Sequence, residues 1–208
     1  MSQQPTTTGG LVPPPRLALV ADPPATVDPF AAEAAVADLL RALGQDVSDP
    51  QLAETPRRVA ESLTELISPV DFNLTTFPND DGYDELVVAR DIPLRSLCAH
   101  HLLPFVGVAH VAYLPGEHIL GLSKLARVVE MFARGLQVQE RITVQVADWL
   151  TEHLEPRGVG VVLEAEHLCM TLRGVRAHGA RTATSALRGL LKDDARTRAE
   201  FLALVGRG

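Results

Sequence analysis

The sequence predicts an α+β protein, in which helices and antiparallel strands occupy separate blocks of the chain. Helical periodicity comes first, β-rich runs follow, and two adjacent helical segments separate these runs from a second β-rich region. Strands and helices do not alternate, which argues against a parallel sheet. The main predicted unit spans residues 28–208, with N-terminal helices and a loop over 28–85 and the remaining elements over 86–208.

The composition is that of a water-soluble globular chain. The 208 residues are 46% hydrophobic, and 19 Lys and Arg against 26 Asp and Glu leave a formal net charge of −7. A net acidic chain argues against broad binding to nucleic acid or to an anionic membrane. No apolar run matches a membrane span, no secretory signal is readable, and two cysteines make no disulfide framework. We therefore expect a cytoplasmic protein.

The N-terminal block is predicted to contain a tail, two helices and a loop. Residues 1–27 are rich in Pro, Thr, Gln and Gly without a sustained period, which predicts a disordered tail. Asp28, followed by proline, predicts the cap of a helix that ends at Gly44. Thr55, also followed by proline, predicts the cap of a second helix. Residues 68–85 are dense in turn-forming residues and are predicted to form loops.

The first strands are predicted by two β-rich runs, residues 86–92 and 106–113. Ser123 is then predicted to cap a helix with apolar residues at helical spacing, and Gly135 to break it. This order continues the separation of helical and β segments.

A longer helix is predicted to begin near Val138 and to end before Pro156. Residues 159–173 predict one long strand, and residues 184–204 predict a strand end and a short helix. Antiparallel pairing of these strands with the earlier ones completes the predicted class.

The strongest local signal for chemistry is the run Cys98–His101. A thiolate and an imidazole at C-x2-H spacing can bind one metal ion, as such pairs do in zinc sites. The only other cysteine is Cys169, and two sulfurs with one imidazole favour Zn²⁺ over Mg²⁺ or Ca²⁺. Three ligands with an open fourth position are typical of a catalytic zinc, and His100 or His167 could instead fill that position. The alternative is two buried structural cysteines beside core histidines.

The predicted long strand adds to the metal-site hypothesis. Side chains of equal parity share one face of an extended strand, so His167, Cys169, Thr171 and Arg173 are predicted to line one side. A metal ligand, a titratable imidazole and a fixed cation on one face suit a site for an anionic substrate.

The segment Gly121–Arg127 is a candidate anion site. A glycine and a predicted capping Ser123 at a helix start leave backbone N–H groups free, and Lys124 and Arg127 share one helical face. The alternative interpretation is a capped helix with a solvated basic edge.

Glu140 lies in the first turn of the longer predicted helix. Its carboxylate can accept two N–H bonds from a planar, guanidine-like ligand edge. The alternative is that it only complements the helix dipole, and periodicity leaves both interpretations open.

Taken together, these motifs resemble the GTP cyclohydrolase I family. The resemblance runs from roughly residue 54 to residue 204, and several motifs carry it in order. They are Glu54–Arg58, Cys98–His101, Pro104-Phe105 with Gly107, Gly121–Arg127, Gln137–Arg141, Glu164–Arg173 and Thr182–Ser185. The resemblance implies the tunnelling fold, in which antiparallel four-stranded sheets with paired antiparallel helices join into pentameric barrels. Two such rings stack into a homodecamer.

The resemblance also implies roles for individual residues. The implied zinc ligands are Cys98, His101 and Cys169. The implied catalytic groups are His100 and His167, which transfer protons beside the metal, and Ser123, near the ribose. The implied substrate contacts are Glu140 and Gln139 at the guanine edge, Lys124, Arg127 and Arg173 at the triphosphate, and Arg58 from a neighbouring subunit.

The implied activity is zinc-dependent hydrolysis and ring rearrangement of GTP to 7,8-dihydroneopterin triphosphate and formate, the first step of folate and pterin biosynthesis. The sequence departs from the usual family pattern at Ala99, at Glu61 and at Ala177-His178. Two alternatives stay open. One is a non-catalytic or slow paralogue that binds zinc and nucleotide, and the other is a different tunnelling-fold enzyme of deazapurine synthesis.

Overall fold

The computed structural model describes residues 27–206 of the chain. The predicted tail over residues 1–27 lies outside the described residues except for Val27. The elements in chain order are α1 (Pro29–Ala42), α2 (Thr55–Ile67), β1 (Thr76–Pro78), β2 (Val87–Cys98), β3 (Pro104–Leu114), β4 (His118–Leu120), α3 (Ser123–Ala133), β5 (Leu136–Gln137), α4 (Gln139–Leu154), β6 (Gly158–His167), α5 (Leu168–Thr171), β7 (Thr182–Gly189), α6 (Leu190–Asp193) and α7 (Ala195–Val205).

The main sheet has the order β5-β2-β3-β6-β7. Its four long strands, β2, β3, β6 and β7, pair antiparallel, and the two-residue β5 pairs parallel with the end of β2. The predicted α+β class with a four-stranded antiparallel sheet is therefore confirmed. Among the described residues, no helix is both long and apolar enough to cross a membrane.

Two clusters of buried side chains lie on opposite faces of this sheet. Helices α3 and α4 pack on one face, over residues such as Val111 and Tyr113 of β3. Helices α6 and α7 cover part of the other face, where Leu191 and Phe201 pack on the alternate residues of β3. Gly160 of β6 allows this approach, because a Cβ there would lie 2.6 Å from the Leu191 side chain.

Helix α1 begins as predicted. Asp28 accepts a hydrogen bond from the Ala31 amide at 3.0 Å and caps the helix. The predicted caps Thr55 and Ser123 are wrong by one residue, since Glu54 and Leu122 occupy the N-cap positions of α2 and α3. Both of these residues already have helical backbone angles, so the hydroxyl residues lie inside the first turn.

The first long strand extends beyond the predicted 86–92 and reaches Cys98. The pairing register shifts between Ala89 and Ile92, and Asp91 has a left-handed φ of 54°. This irregularity interrupts the alternation of buried and exposed side chains from which a strand is predicted. Part of the predicted loop over 68–85 is also a strand, because β1 pairs with β4. Each of these strands has three residues, too few to show an alternation of apolar and polar side chains in the sequence.

The predicted long strand over 159–173 is wrong beyond His167. Strand β6 ends there, and Leu168–Thr171 form the short helix α5, with the Leu172 amide bonded to the Leu168 carbonyl at 3.0 Å. Strand β3 begins only at Pro104, so its ladder with β6 ends at the pair Phe105–His167. Without a neighbouring strand to bond, the backbone forms a helical turn instead. The predicted common face of Cys169, Thr171 and Arg173 therefore does not exist.

The last segment contains more secondary structure than the strand end and short helix that were predicted over 184–204. Strand β7 has eight residues and begins at Thr182, and two helices, α6 and α7, follow it. Asp194 caps α7 through hydrogen bonds from the amides of Arg196 and Thr197.

Candidate metal centre

The turn after β2 presents Cys98 and the two histidines that follow it. The Cys98 amide donates to the Leu103 carbonyl, and the Leu102 amide donates to the Cys98 carbonyl, both at 2.9 Å. Leu102 has a left-handed φ of 55°, which closes this turn. Cys98 is thereby buried under the turn, while the side chains of His100 and His101 lie at the surface.

Helix α5 brings Cys169 to the same place. It follows β6 at the point where β6 leaves its pairing with β3, beside the turn that holds Cys98. The side-chain donor atoms of Cys98, His101 and Cys169 all lie within 4.8 Å of one another. Among the described residues, only this group has the geometry to hold a metal ion. Both cysteines of the chain belong to this group.

The donor set fits zinc. A tetrahedral zinc, with Zn–S bonds of ~2.3 Å and Zn–N bonds of ~2.1 Å, holds its ligand atoms roughly 3.5–3.8 Å apart. The distance from Cys98 Sγ to His101 Nδ1 is 3.8 Å. Two sulfurs and one imidazole are soft or borderline ligands, which Mg²⁺ and Ca²⁺ avoid.

Cys169 is half-buried, and this burial is the main reason why the pKa of its thiol is raised. The neighbouring Cys98 acts in the same direction, because two thiolates at this distance repel each other. Arg173 lies near enough to oppose the effect weakly. A bound cation removes this cost by stabilising both thiolates.

His100 lies beside the group of ligands. Its Nδ1 is 3.8 Å from Cys98 Sγ, the same distance as that of His101, and the two imidazoles meet edge to face with centroids 6.3 Å apart. His100 therefore lies next to Cys98 without belonging to the group of three.

His167 is the last residue of β6, and two contacts hold its ring. It stacks on Phe105 with centroids 4.7 Å apart and planes inclined by 9°, and its Nε2 lies 2.8 Å from Oε1 of Gln139. Burial lowers the pKa of His167, and the nearby carboxylate of Glu140 opposes this shift. The neutral imidazole is thus favoured, with a carboxylate close by that supports the charged form.

A pocket of about 240 Å³ opens at this point. It is lined by Cys98, His100, His101, Gln137, Val138, Gln139, Glu140, His167, Cys169, Met170 and Thr182. The volume lies below the ~300–1,000 Å³ that is usual for pockets of drug-sized ligands. In one chain the pocket has room for a base-sized group rather than for a whole nucleotide.

The structure thus brings the metal-ligand candidates, both histidines, Gln139 and Glu140 into one pocket. Glu140 is exposed, whereas Gln139 is only 1% exposed and its amide is bonded to protein groups. The predicted contact of Gln139 with a guanine edge stays a prediction.

The remaining predicted site residues lie outside that pocket. They are Ser123, Lys124, Arg127, Arg173 and Arg58. Lys124 Nζ lies 5.9 Å from the ring centroid of Phe72, a cation–π distance, and the other four side chains are exposed. Their predicted roles at a ribose and a triphosphate stay predictions.

Several residues that line the pocket or pack beneath it had no predicted role. Phe105 and Thr182 stood within motifs of the resemblance, but nothing in their local pattern indicated a contact with His167 or with the pocket. Val138 and Met170 carry no chemical signal at all. Glu61, a departure from the family pattern, forms an exposed ion pair with Arg57 at 2.7 Å.

Comparisons with known proteins show which proteins this chain is similar to. A family model described as GTP cyclohydrolase I matches residues 32–206. A relative from Streptomyces avermitilis named GTP cyclohydrolase 1 is 55% identical over 181 residues, which cover 84% of this chain and 89% of the relative. A relative of the same name from Mycobacteroides abscessus is 52% identical over 185 residues, covering 86% of this chain and 91% of the relative.

A third relative named GTP cyclohydrolase 1, from a Synechococcus strain, is 52% identical over 176 residues, covering 83% of this chain and 77% of the relative. Among solved structures, an archaeosine synthase QueF-like protein overlaps 50% of this chain and 93% of its own at 18% identity. Its TM-score of 0.39 is too low to support an argument.

Proposed function

This chain belongs to the GTP cyclohydrolase I family, and we propose that Cys98, His101 and Cys169 bind the zinc ion on which its GTP cyclohydrolase I activity depends. The observation that carries the proposal is the mutual approach of these donor atoms to within 4.8 Å, although Cys169 lies far from the others along the chain. A zinc ion held by these residues would lower the pKa of water towards neutrality and would so supply a nucleophile at neutral pH.

The reaction is the opening of the guanine imidazole ring of GTP at C8. Two water molecules hydrolyse the two bonds that join C8 to nitrogen, so that C8 leaves as formate. Rearrangement of the ribose, followed by ring closure with loss of one water, gives 7,8-dihydroneopterin triphosphate. Ring opening requires protons to reach the imidazole nitrogens as the bonds to C8 break. Imidazole side chains suit this task because they gain and lose a proton near neutral pH.

We assign this proton transfer to His167 and His100. His167 lines the pocket in its neutral form, held against Phe105, and the carboxylate of Glu140 stabilises the imidazolium when it forms. His100 lies beside Cys98 and lines the same pocket. Both imidazoles therefore line the pocket that also contains the candidate metal ligands, where C8 of the purine is proposed to lie.

The guanine edge is assigned to Glu140. Its carboxylate is exposed at the pocket wall and can only accept hydrogen bonds. It therefore suits the N1–H and amino groups of guanine, which are both donors. A pocket of about 240 Å³ accommodates the base, which leaves the ribose and phosphates outside. There Ser123 is assigned to the ribose.

Lys124, Arg127 and Arg173 are assigned to the triphosphate, with Arg58 from a neighbouring subunit. Such local cations are required because a chain with a formal net charge of −7 repels a polyanion.

A homo-oligomer, a decamer of two pentamers, is the proposed assembly. Several large apolar side chains near the pocket are exposed in the single chain, among them Leu102, Leu136, Leu172 and Val175. Their burial against a second copy would bring its residues to the pocket rim. The reducing cytoplasm, which keeps both thiols available for zinc, is the proposed compartment.

The test is turnover of GTP by the purified, zinc-loaded protein. We expect one formate for each GTP consumed, together with a fluorescent pterin after oxidation of the product. Treatment with a chelator abolishes both signals, and zinc restores them. Binding of zinc and GTP without release of formate would instead support the non-catalytic paralogue.

A further inference from the structure

We propose that Gln139 is a positioning residue, whose amide holds His167 with its ring proton on Nε2 and so leaves Nδ1 to exchange a proton with the substrate. The inference rests on the proposed function of His167. It gives Gln139 a role different from the guanine contact that the family resemblance implies.

The orientation of the Gln139 amide follows from its partners. Its Nε2 lies 3.1 Å from the carbonyl oxygen of Leu163 and 2.9 Å from that of Thr182. Carbonyl oxygens only accept hydrogen bonds, so the amide nitrogen must face them. The opposite orientation would place Oε1 against two carbonyl oxygens in a buried site, which is strongly unfavourable.

Two threonines support the same orientation. Thr143 Oγ1 donates to the backbone carbonyl of Gln139 at 2.8 Å, which uses its only hydrogen. The hydroxyls of Thr143 and Thr184 are 2.7 Å apart, so Thr184 donates to Thr143. Thr184 Oγ1 then accepts from Gln139 Nε2 at 3.1 Å. Three acceptors thus share the two hydrogens of the amide nitrogen, and each of them requires the nitrogen rather than the oxygen of the amide on its side.

The amide oxygen determines the proton on His167. Gln139 Oε1 lies 2.8 Å from His167 Nε2 and can only accept, so Nε2 carries the hydrogen. The stack on Phe105 fixes the plane of the imidazole. A half-turn of the ring about its Cβ–Cγ bond would keep the plane but would move Nε2 away from Oε1 and break the hydrogen bond. Both the plane and the tautomer of His167 are therefore set by its neighbours, and Nδ1 is the nitrogen that is left to gain and lose a proton.

Gln139 itself is poorly placed to bind the substrate. Gln139 is 1% exposed, and the two hydrogens of its amide nitrogen are shared among three acceptors of the protein, on Leu163, Thr182 and Thr184. Loss of the amide should therefore change the chemical step more than the binding of GTP.

The direct test is magic-angle-spinning NMR on zinc-loaded protein labelled with ¹⁵N at histidine, at a pH where imidazoles are neutral. The His167 signals are assigned by their loss in His167→Asn. We expect Nε2 protonated and Nδ1 unprotonated in the native chain. Two other histidines serve as internal references, since His110 Nδ1 accepts from the Asp91 amide and His153 Nδ1 donates to the Trp149 carbonyl. Protonation of His167 at Nδ1 would overturn the proposal without any variant.

The second test is Gln139→Met, with Gln145→Met as the matched control. Gln145 lies on the same helix and accepts a hydrogen bond from Gln137 rather than from His167. In Gln139→Met we expect both His167 tautomers, and a kcat for GTP lower by about 10- to 100-fold with KM within about twofold. Gln145→Met keeps the native tautomer.

An unchanged tautomer in Gln139→Met overturns the proposal, as does a raised KM with unchanged kcat, which is the signature of a direct guanine contact. The NMR measurement needs no turnover. A protein that releases no formate from GTP would therefore refute the proposed function while the role of Gln139 is still tested.

Discussion

The imidazole of His167 lies parallel to the ring of Phe105, with centroids 4.7 Å apart and planes inclined by 9°. The two residues are direct partners in the ladder between β3 and β6, at the last position where these strands pair. Phe105 is fully buried, so the hydrophobic core fixes the plane of a side chain at the pocket surface. The pairing register of the sheet thus positions a candidate proton-transfer group.

Phe105→Leu removes this stack while it keeps an apolar side chain in the core. Aromatic pairs contribute ~0.5–1.5 kcal/mol beyond their buried area, and we expect a loss of about 1–2 kcal/mol in the free energy of unfolding in urea. We also expect a lower kcat for GTP. Phe201→Leu is the matched control, because Phe201 is equally buried on the opposite face of the sheet. Equal losses of kcat in the two variants would contradict a specific role for the stack.

Removal of a single ligand should release the metal. In Cys169→Ser and in His101→Asn we expect the bound zinc to fall from about one per chain to nearly none after passage through a weak chelator. His118→Asn, which changes another exposed histidine on β4, should retain the metal. The measurement is zinc per chain by mass spectrometry. Retention of full zinc by Cys169→Ser would show that the ion is held elsewhere.

Glu140→Gln replaces two acceptors with one acceptor and one donor, which opposes the N–H groups of guanine. We expect normal zinc content and kcat/KM for GTP lower by about 10- to 100-fold, the effect of ~1.5–3 kcal/mol for a charged hydrogen bond. Glu152→Gln, at an exposed position on the same helix, is the control. The preference for GTP over inosine triphosphate, which lacks the amino group, should also fall. An unchanged preference would refute the assigned role.

Asp194 couples the stability of the C-terminal helix to pH. Hydrogen bonds from Thr197, first from its amide and then from its hydroxyl, lower the pKa of this carboxyl below its ordinary value of 3.8. A carboxyl with a lowered pKa in the folded chain stabilises the fold above the unfolded pKa, and this contribution disappears as the pH falls through the folded pKa.

Asp194→Asn keeps a capping oxygen but does not titrate. We expect the native chain to be more stable than the variant at pH 6, and the difference in unfolding free energy to shrink steadily between about pH 4 and pH 2. Urea denaturation at a series of pH values measures it. A difference that does not change with pH would contradict the assigned role of the charge.

The local parts of the site were predictable from the sequence, because neighbours along the chain remain neighbours in space. Cys98 and His101 lie across one turn, as their spacing predicts. Cys169 was a natural third ligand as the only other cysteine, yet the face-sharing argument that supported it was wrong, since the chain leaves the strand at Leu168. The pairing of β3 decides where β6 ends, and that pairing is a long-range contact.

The surroundings of His167 illustrate what the sequence pattern could not provide. Its hydrogen-bond partner Gln139 is 28 residues away, and its stacking partner Phe105 lies on another strand. Both contacts depend on the packing of α4 against the sheet and on the exact pairing of the strands. The end of β2 was predicted too early for a similar reason. The register shift near Asp91 is a bulge, and it hides the alternation of side chains along the strand.

The most direct test of the central claim is X-ray absorption at the zinc K-edge of the purified native protein. If Cys98, His101 and Cys169 hold the ion, the spectrum is fitted by a zinc shell of two sulfur atoms at ~2.3 Å and at least one imidazole nitrogen at ~2.1 Å. In Cys169→Ser the sulfur contribution should be lost together with the ion. A zinc shell of only nitrogen and oxygen atoms in the native protein would contradict the account.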